Sequence, residues 1–173
     1  MKILLGLLIG WCVFSLAQEE TNPVNPTGTN MSVDPAEDAT IEGLDIDNNG
    51  VRDDLQRYIN TTYPGSDNEL LRRALTEIAK SSQQVLLSVQ AGDEFDAITD
   101  IFTDLENRQC LYGLFGEVAF DYADGLLLET LDTKARIELD LQADEIFADE
   151  IYTPRRDPLS ACNFDISGVN ESP

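Results

Sequence analysis

The residues best suited to chemistry stand together in Asp45-Ile-Asp-Asn-Asn-Gly-Val-Arg-Asp-Asp54. A hard divalent cation such as calcium takes about six to eight oxygens, several of them anionic, and a short loop can gather them if acids or amides alternate along it. Asp45, Asp47 and Asn49 fill the first, third and fifth places of such a loop. Gly50 falls at the sixth, where an EF-hand loop turns sharply. The carbonyl of Val51 is expected at the seventh place, and Asp53 at the ninth, binding directly or through water. The pattern departs at the twelfth place, where Gln56 replaces the bidentate Glu and offers one neutral oxygen at most. Asp54 is the candidate substitute, although it comes early on the exiting helix. Arg52 occupies the eighth place, where paired EF-hands carry an apolar residue, and no second loop of this kind occurs in the chain. The expectation is therefore one isolated calcium ion, held with a Kd on the order of 10⁻⁴ to 10⁻³ M. An acidic Asx-Gly turn without an ion is the alternative reading of the same residues.

Other chemistry is sparse. The 173 residues contain no His, which removes Ser-His-Asp triads, His-based metal sites and the commonest general base. With 33 acidic against 11 basic side chains, the formal charge of -22 excludes a nucleic-acid-binding surface, which needs clustered Lys and Arg. Paired carboxylates could serve a glycoside hydrolase, but with so many acids no particular pair is singled out. The residue types thus argue against an enzyme. A hydrophobic fraction of 42% is enough to bury an ordinary core, so this is no disordered acidic tail.

The amino terminus has the build of a secretory signal peptide. Lys2 is followed by an apolar run from Ile3 to Phe14, then Ser15-Leu16-Ala17 with cleavage expected after Ala17. The run is too short to cross a bilayer, and Gly10-Trp11 before Cys12 does not make a lipidation box. Loss of residues 1–17 takes Cys12 away and leaves Cys110 and Cys162. An even pair in an exported protein reads as a disulfide, worth roughly 4 kcal/mol for a loop of about 50 residues. Two free buried thiols are the other possibility.

Elements must position these groups. Residues 18–34, rich in Pro, Asn and Thr, read as a flexible leader. Asp34-Pro35-Ala36-Glu37 could open only a brief helix. Asp53 to Asn60 predicts two helical turns, ended by Tyr63-Pro64-Gly65. Ser66 and Glu69 form a capping-box pattern ahead of a long helix with Leu71, Leu75, Ile78, Val85, Leu86 and Val89 on its apolar face, stopped by Gly92. A third helix carries Phe95, Ile98, Ile101, Phe102, Leu105, Cys110 and Tyr112. A fourth runs from Phe115 through Val118, Ala119, Tyr122, Leu126 and Leu127. A fifth, capped at Asp132-Thr133, is expected to turn Ile137, Leu141, Ala148 and Ile151 to one side. No segment alternates as a strand does. The result is an all-α, antiparallel bundle of about four to five helices over residues 35–173, with Cys162 stapling the terminal segment to the third helix.

Gly43-Leu-Asp-Ile-Asp-Asn-Asn-Gly-Val-Arg-Asp-Asp-Leu-Gln-Arg-Tyr-Ile59 resembles the opening signature of a group of uncharacterised exported bacterial proteins. Leu131-Asp-Thr-Lys-Ala-Arg136 and Cys162-Asn-Phe-Asp165 are similar to later segments of that group. The resemblance implies a helical domain with one calcium loop of the EF-hand or dockerin kind, from a Gram-negative bacterium, and no reaction. Calcium is thus the expected ligand, the protein is expected to be secreted or periplasmic, and no membrane span should remain after cleavage. The alternative to a structural calcium site is an interaction protein whose acidic surface docks on a basic protein partner.

Overall fold

A computed structural model describes residues 39–167, and these form one compact unit. The expected signal peptide, the leader and the start of the brief helix at Asp34 lie outside the described residues. The described chain is all-α, with five helices and no strand: α1 (Asp53–Thr62), α2 (Glu69–Ala91), α3 (Glu94–Phe115), α4 (Val118–Thr130) and α5 (Lys134–Phe147). Short 3₁₀ turns cover Ser66–Asn68 and Pro158–Ala161.

Helix α2 is the spine, touching each of the other four helices. Its first half buries Leu71, Ala74, Leu75, Ile78 and Ala79, the three-and-four spacing of one helix face. That face meets Leu55 and Ile59 of α1, Leu111 of α3 and Leu126 of α4 in the larger part of the core. The second half places Val85 and Val89 against Ala97 and Ala143 in a smaller part. Between the two lies a polar layer. Ser81 Oγ and Ser82 Oγ donate to Asp104 Oδ1 at 2.7 and 2.8 Å, and Asn107 Nδ2 donates to the Glu77 carbonyl at 3.1 Å. Arg108 Nε reaches Asp104 Oδ2 at 2.5 Å, so the buried acid is neutralised as well as hydrogen-bonded.

Helix ends follow local chemistry with exceptions. Gly92 stops α2 in the left-handed region (φ 74°), its N–H donating to Ser88 and Val89 carbonyls, and Asp93 caps α3 by accepting from Asp96 N–H. Thr133 caps α5 by accepting from Arg136 N–H. The capping box at Ser66 does not form. Ser66 lies within the 3₁₀ turn, and α2 begins only at Glu69 without a side-chain cap. Phe115 closes α3 instead of opening α4, because Gly116 turns to φ 62° there.

The inner face of α5 also differs from expectation. Ile137, Leu141 and Ile151 are exposed, and Ile151 lies beyond the helix end. The buried face carries Arg136 and Ala143, with Leu139 and Ile146 packed against the smaller core. The helix is rotated by a charged side chain whose partners lie elsewhere, described below. On α3, Phe95 is likewise turned outward, and Ala97, Asp104, Asn107 and Leu111 face inward.

After α5 the chain returns along α3. Gln109 accepts from Tyr152 Oη and Arg155 N–H and donates to the Arg155 carbonyl at 2.7 Å. Cys162 is disulfide-bonded to Cys110, a separation of 52 residues. Among the described residues, no helix is long and apolar enough to cross a membrane.

Candidate metal centre

The loop at 45–53 folds as its residue types require. Asn48 (φ 55°) and Gly50 (φ 84°) both enter the left-handed region, which Asn tolerates and Gly takes without strain. A Cβ on Gly50 would meet only Lys80 Cγ at 3.8 Å, so backbone conformation, not space, calls for glycine there. Asp45 folds back on the turn, Oδ1 accepting from Asn49 N–H at 3.1 Å and Oδ2 from Gly50 N–H at 2.8 Å. A desolvation penalty on Asp45 is outweighed by these amides, which hold its pKa below the ordinary value. Asp53 closes the loop: its N–H donates to the Leu44 carbonyl at 2.7 Å and its Oδ1 accepts from Ile46 N–H at 3.4 Å.

Three of the expected ligands come together. Asp45, Asp47 and Asp53 each offer a carboxylate oxygen, and these oxygens lie within 4.8 Å of one another. Oxygens on opposite sides of one calcium ion stand about 4.6–5.2 Å apart, twice the metal–oxygen distance. The donors are hard and anionic, so the set fits a calcium-sized cation. Asn49 and Gln56 stand beside it but are engaged with each other: Asn49 Nδ2 donates to Gln56 Oε1 and to Asp47 Oδ2, each at 3.0 Å, while Asn49 Oδ1 accepts from Val51 N–H. The Val51 side chain is wholly buried in the larger core, so the seventh place of the loop doubles as its apolar anchor.

Asp54 is not with this group. Both its oxygens accept from Arg52, Oδ1 from Nε at 3.0 Å and Oδ2 from Nη2 at 2.5 Å. Burial alone would raise the Asp54 pKa; the hydrogen bonds and charge of Arg52 outweigh it and hold the carboxyl below its usual value. The expected substitute ligand is instead one half of a bidentate ion pair.

That pair belongs to a network which spacing along the chain did not reveal. Arg52 is buried, and besides Asp54 it donates from Nη1 to the Thr130 carbonyl at 3.0 Å, and from Nη2 to the Glu129 carbonyl at 3.2 Å and Asp132 Oδ2 at 3.1 Å. Arg136, fully buried, takes the other oxygen of Asp132 at 2.5 Å, and its Nη2 donates to the Thr40 carbonyl at 2.9 Å. One carboxylate thus bridges two buried guanidiniums. Arg52 fastens the loop's exit to the α4–α5 turn, and Arg136 fastens the strand of chain entering the loop to α5. The signals were present in two forms: a charged residue at the eighth loop place, and an Asp-x-x-x-Arg step at a helix start.

No family model, curated protein or solved structure matches this chain. The functional reading therefore rests on its own residues.

Proposed function

We propose that this is an exported calcium-binding protein in which a single ion acts as a structural staple. The observation that carries the reading is the convergence of Asp45, Asp47 and Asp53 within 4.8 Å on a loop turned by Gly50. The loop sits between two chain segments that Arg52 and Arg136 tie to the α4–α5 turn, so an ion there would clamp the entry of the bundle. The isolated loop suits a steady ligand rather than the paired opening of a sensor. The disulfide between Cys110 and Cys162 suits an oxidising compartment, as does the signal-like amino terminus. Calcium is abundant outside the cytosol, where a weak site fills.

Because an ion that binds only the folded chain stabilises it, about 1 mM calcium at the expected affinity contributes roughly 0.4–1.4 kcal/mol. For a domain of this size that is a rise in Tm of about 1–6 °C. Differential scanning calorimetry with calcium and with chelator should show the rise, and Asp45→Ala with Asp47→Ala should abolish it. Identical melting curves with calcium and with chelator would overturn the reading.

A further inference from the structure

Helices α2, α3, α4 and α5 surround a second feature, remote in kind from the loop. From the turn at 131–133 α4 and α5 diverge, each packing on α2 and α3. A cleft of about 340 Å³ remains among the four helices. Its apolar lining comes from Val85 and Leu86 of α2, Ile101 and Leu105 of α3, Leu127 of α4 and Phe147 of α5. Size and lining fall in the range of sites for small molecules. One wall is held in place, since the carbonyl of Thr130, a lining residue, accepts from buried Arg52.

Three of the six polar residues of the cleft are acidic. Asp104, Asp140, Asp144 and Arg108 line it. Arg108 is the cation nearest in effect to Asp140, and it is already spent on Asp104, whose other oxygen takes two serine hydroxyls. That leaves Asp140 and Asp144, one helical turn apart on α5, as like charges that repel each other. Burial first, and then the Asp144 charge, raise the Asp140 pKa. The cleft therefore combines an apolar interior with three carboxylates against one guanidinium, Arg108, whose ion pair is with Asp104.

We propose that this cleft binds a small organic cation with an apolar body, an alkyl- or arylammonium ion, its charged head at Asp140 and Asp144 and its chain against Leu86, Ile101 and Leu105. Charge complementarity selects this occupant. A neutral apolar molecule would leave the two carboxylates unpaired, and an anionic one would add a third negative charge beside them. The proposal does not depend on calcium.

The test uses the full chain with methyl-labelled Leu, Ile and Val, titrated at physiological ionic strength with n-octylammonium, n-octanol and octanoate. Octylammonium is expected to shift the methyl signals of Leu86, Ile101 and Leu105 saturably. Octanol should bind roughly tenfold more weakly and octanoate not measurably. Asp140→Asn with Asp144→Asn should cost octylammonium roughly tenfold and leave octanol unchanged; Asp140 is half-buried and Asp144 exposed, and the wild-type comparison of the three probes stands by itself if the variant is unstable. Equal affinity for octanol and octylammonium would overturn the proposal. So would shifts scattered over the acidic surface instead of the cleft methyls, or no saturable binding of octylammonium.

Discussion

At the scale of single residues, two substitutions separate the ion from the frame that holds its loop. Gln56 already lies against Asn49, 3.0 Å from its amide nitrogen, so Gln56→Glu brings a fourth carboxylate to the loop with little movement. If the calcium reading holds, the variant should bind calcium about tenfold more tightly by calorimetric titration, since loop affinity follows ligand charge. Asp132 tests the frame. Asp132→Ala removes the carboxylate shared by two buried guanidiniums; breaking a fully buried pair costs roughly 3–5 kcal/mol, an upper bound here because the Asp132 side chain is 30% exposed. Arg52 keeps its bidentate contact with Asp54, which puts the expected loss near the lower figure. Urea denaturation should show it, with the midpoint lowered and the slope unchanged. A loss below about 1 kcal/mol would mean that the backbone carbonyls alone satisfy both arginines.

At the scale of elements, close approach explains a residue that helix propensity does not. Gly113 lies inside α3, where glycine weakens a helix. A Cβ there would stand 2.9 Å from Pro158 Cβ and 3.0 Å from Leu159 N. The 3₁₀ turn cannot easily retreat, because Asp157 caps it and Cys162 anchors it to Cys110. Gly113→Ala should therefore destabilise by about 1–2 kcal/mol despite the gain in propensity, measured by thermal melting of the oxidised protein. The same scale shows why helices were legible and some faces were not. Three-and-four spacing located α2 and its buried side, and Gly92 and Thr133 marked real boundaries. On α5 the apolar positions pointed outward, because a buried Arg136 with fixed partners sets the rotation more firmly than Ile137 or Leu141 can. The Ser66 box failed for a local reason: Gly65 (φ 88°) leads straight into a 3₁₀ turn, which places Ser66 inside it.

At the scale of the molecule, the charge of -22 is a standing cost as well as a solubilising surface. Burial, then the charges of Asp132 and Asp54, raise the Glu129 pKa, and Asp140 is raised as described. A carboxyl raised in the folded chain takes up its proton there first. Its penalty is full above the folded value and disappears below the unfolded one. Asp54 works in the opposite sense, its contribution present above the ordinary carboxylate value and lost as pH falls through the lowered one. Tm measured without calcium should therefore rise as pH falls through the raised values of Glu129 and Asp140, then drop as it falls through the lowered value of Asp54. Asp140→Asn should flatten the rise, and a Tm that falls steadily from pH 7 downward would contradict this account.

Helix class, helix ends such as Asp53, Gly92 and Thr133, and the grouping of Asp45, Asp47 and Asp53 were readable from sequence because each depends on neighbours a few residues away. Helical hydrogen bonds span one turn, and the loop closes over nine residues. What only the tertiary structure decided is which charges the loop keeps. Asp54 went to Arg52, and Arg52 and Arg136 went to carbonyls 77 to 96 residues distant, with Asp132, 80 residues from Arg52 and four from Arg136, as their common anion. Burying a guanidinium demands partners for its whole fork of donors, and no local pattern says where in a folded chain those partners will stand.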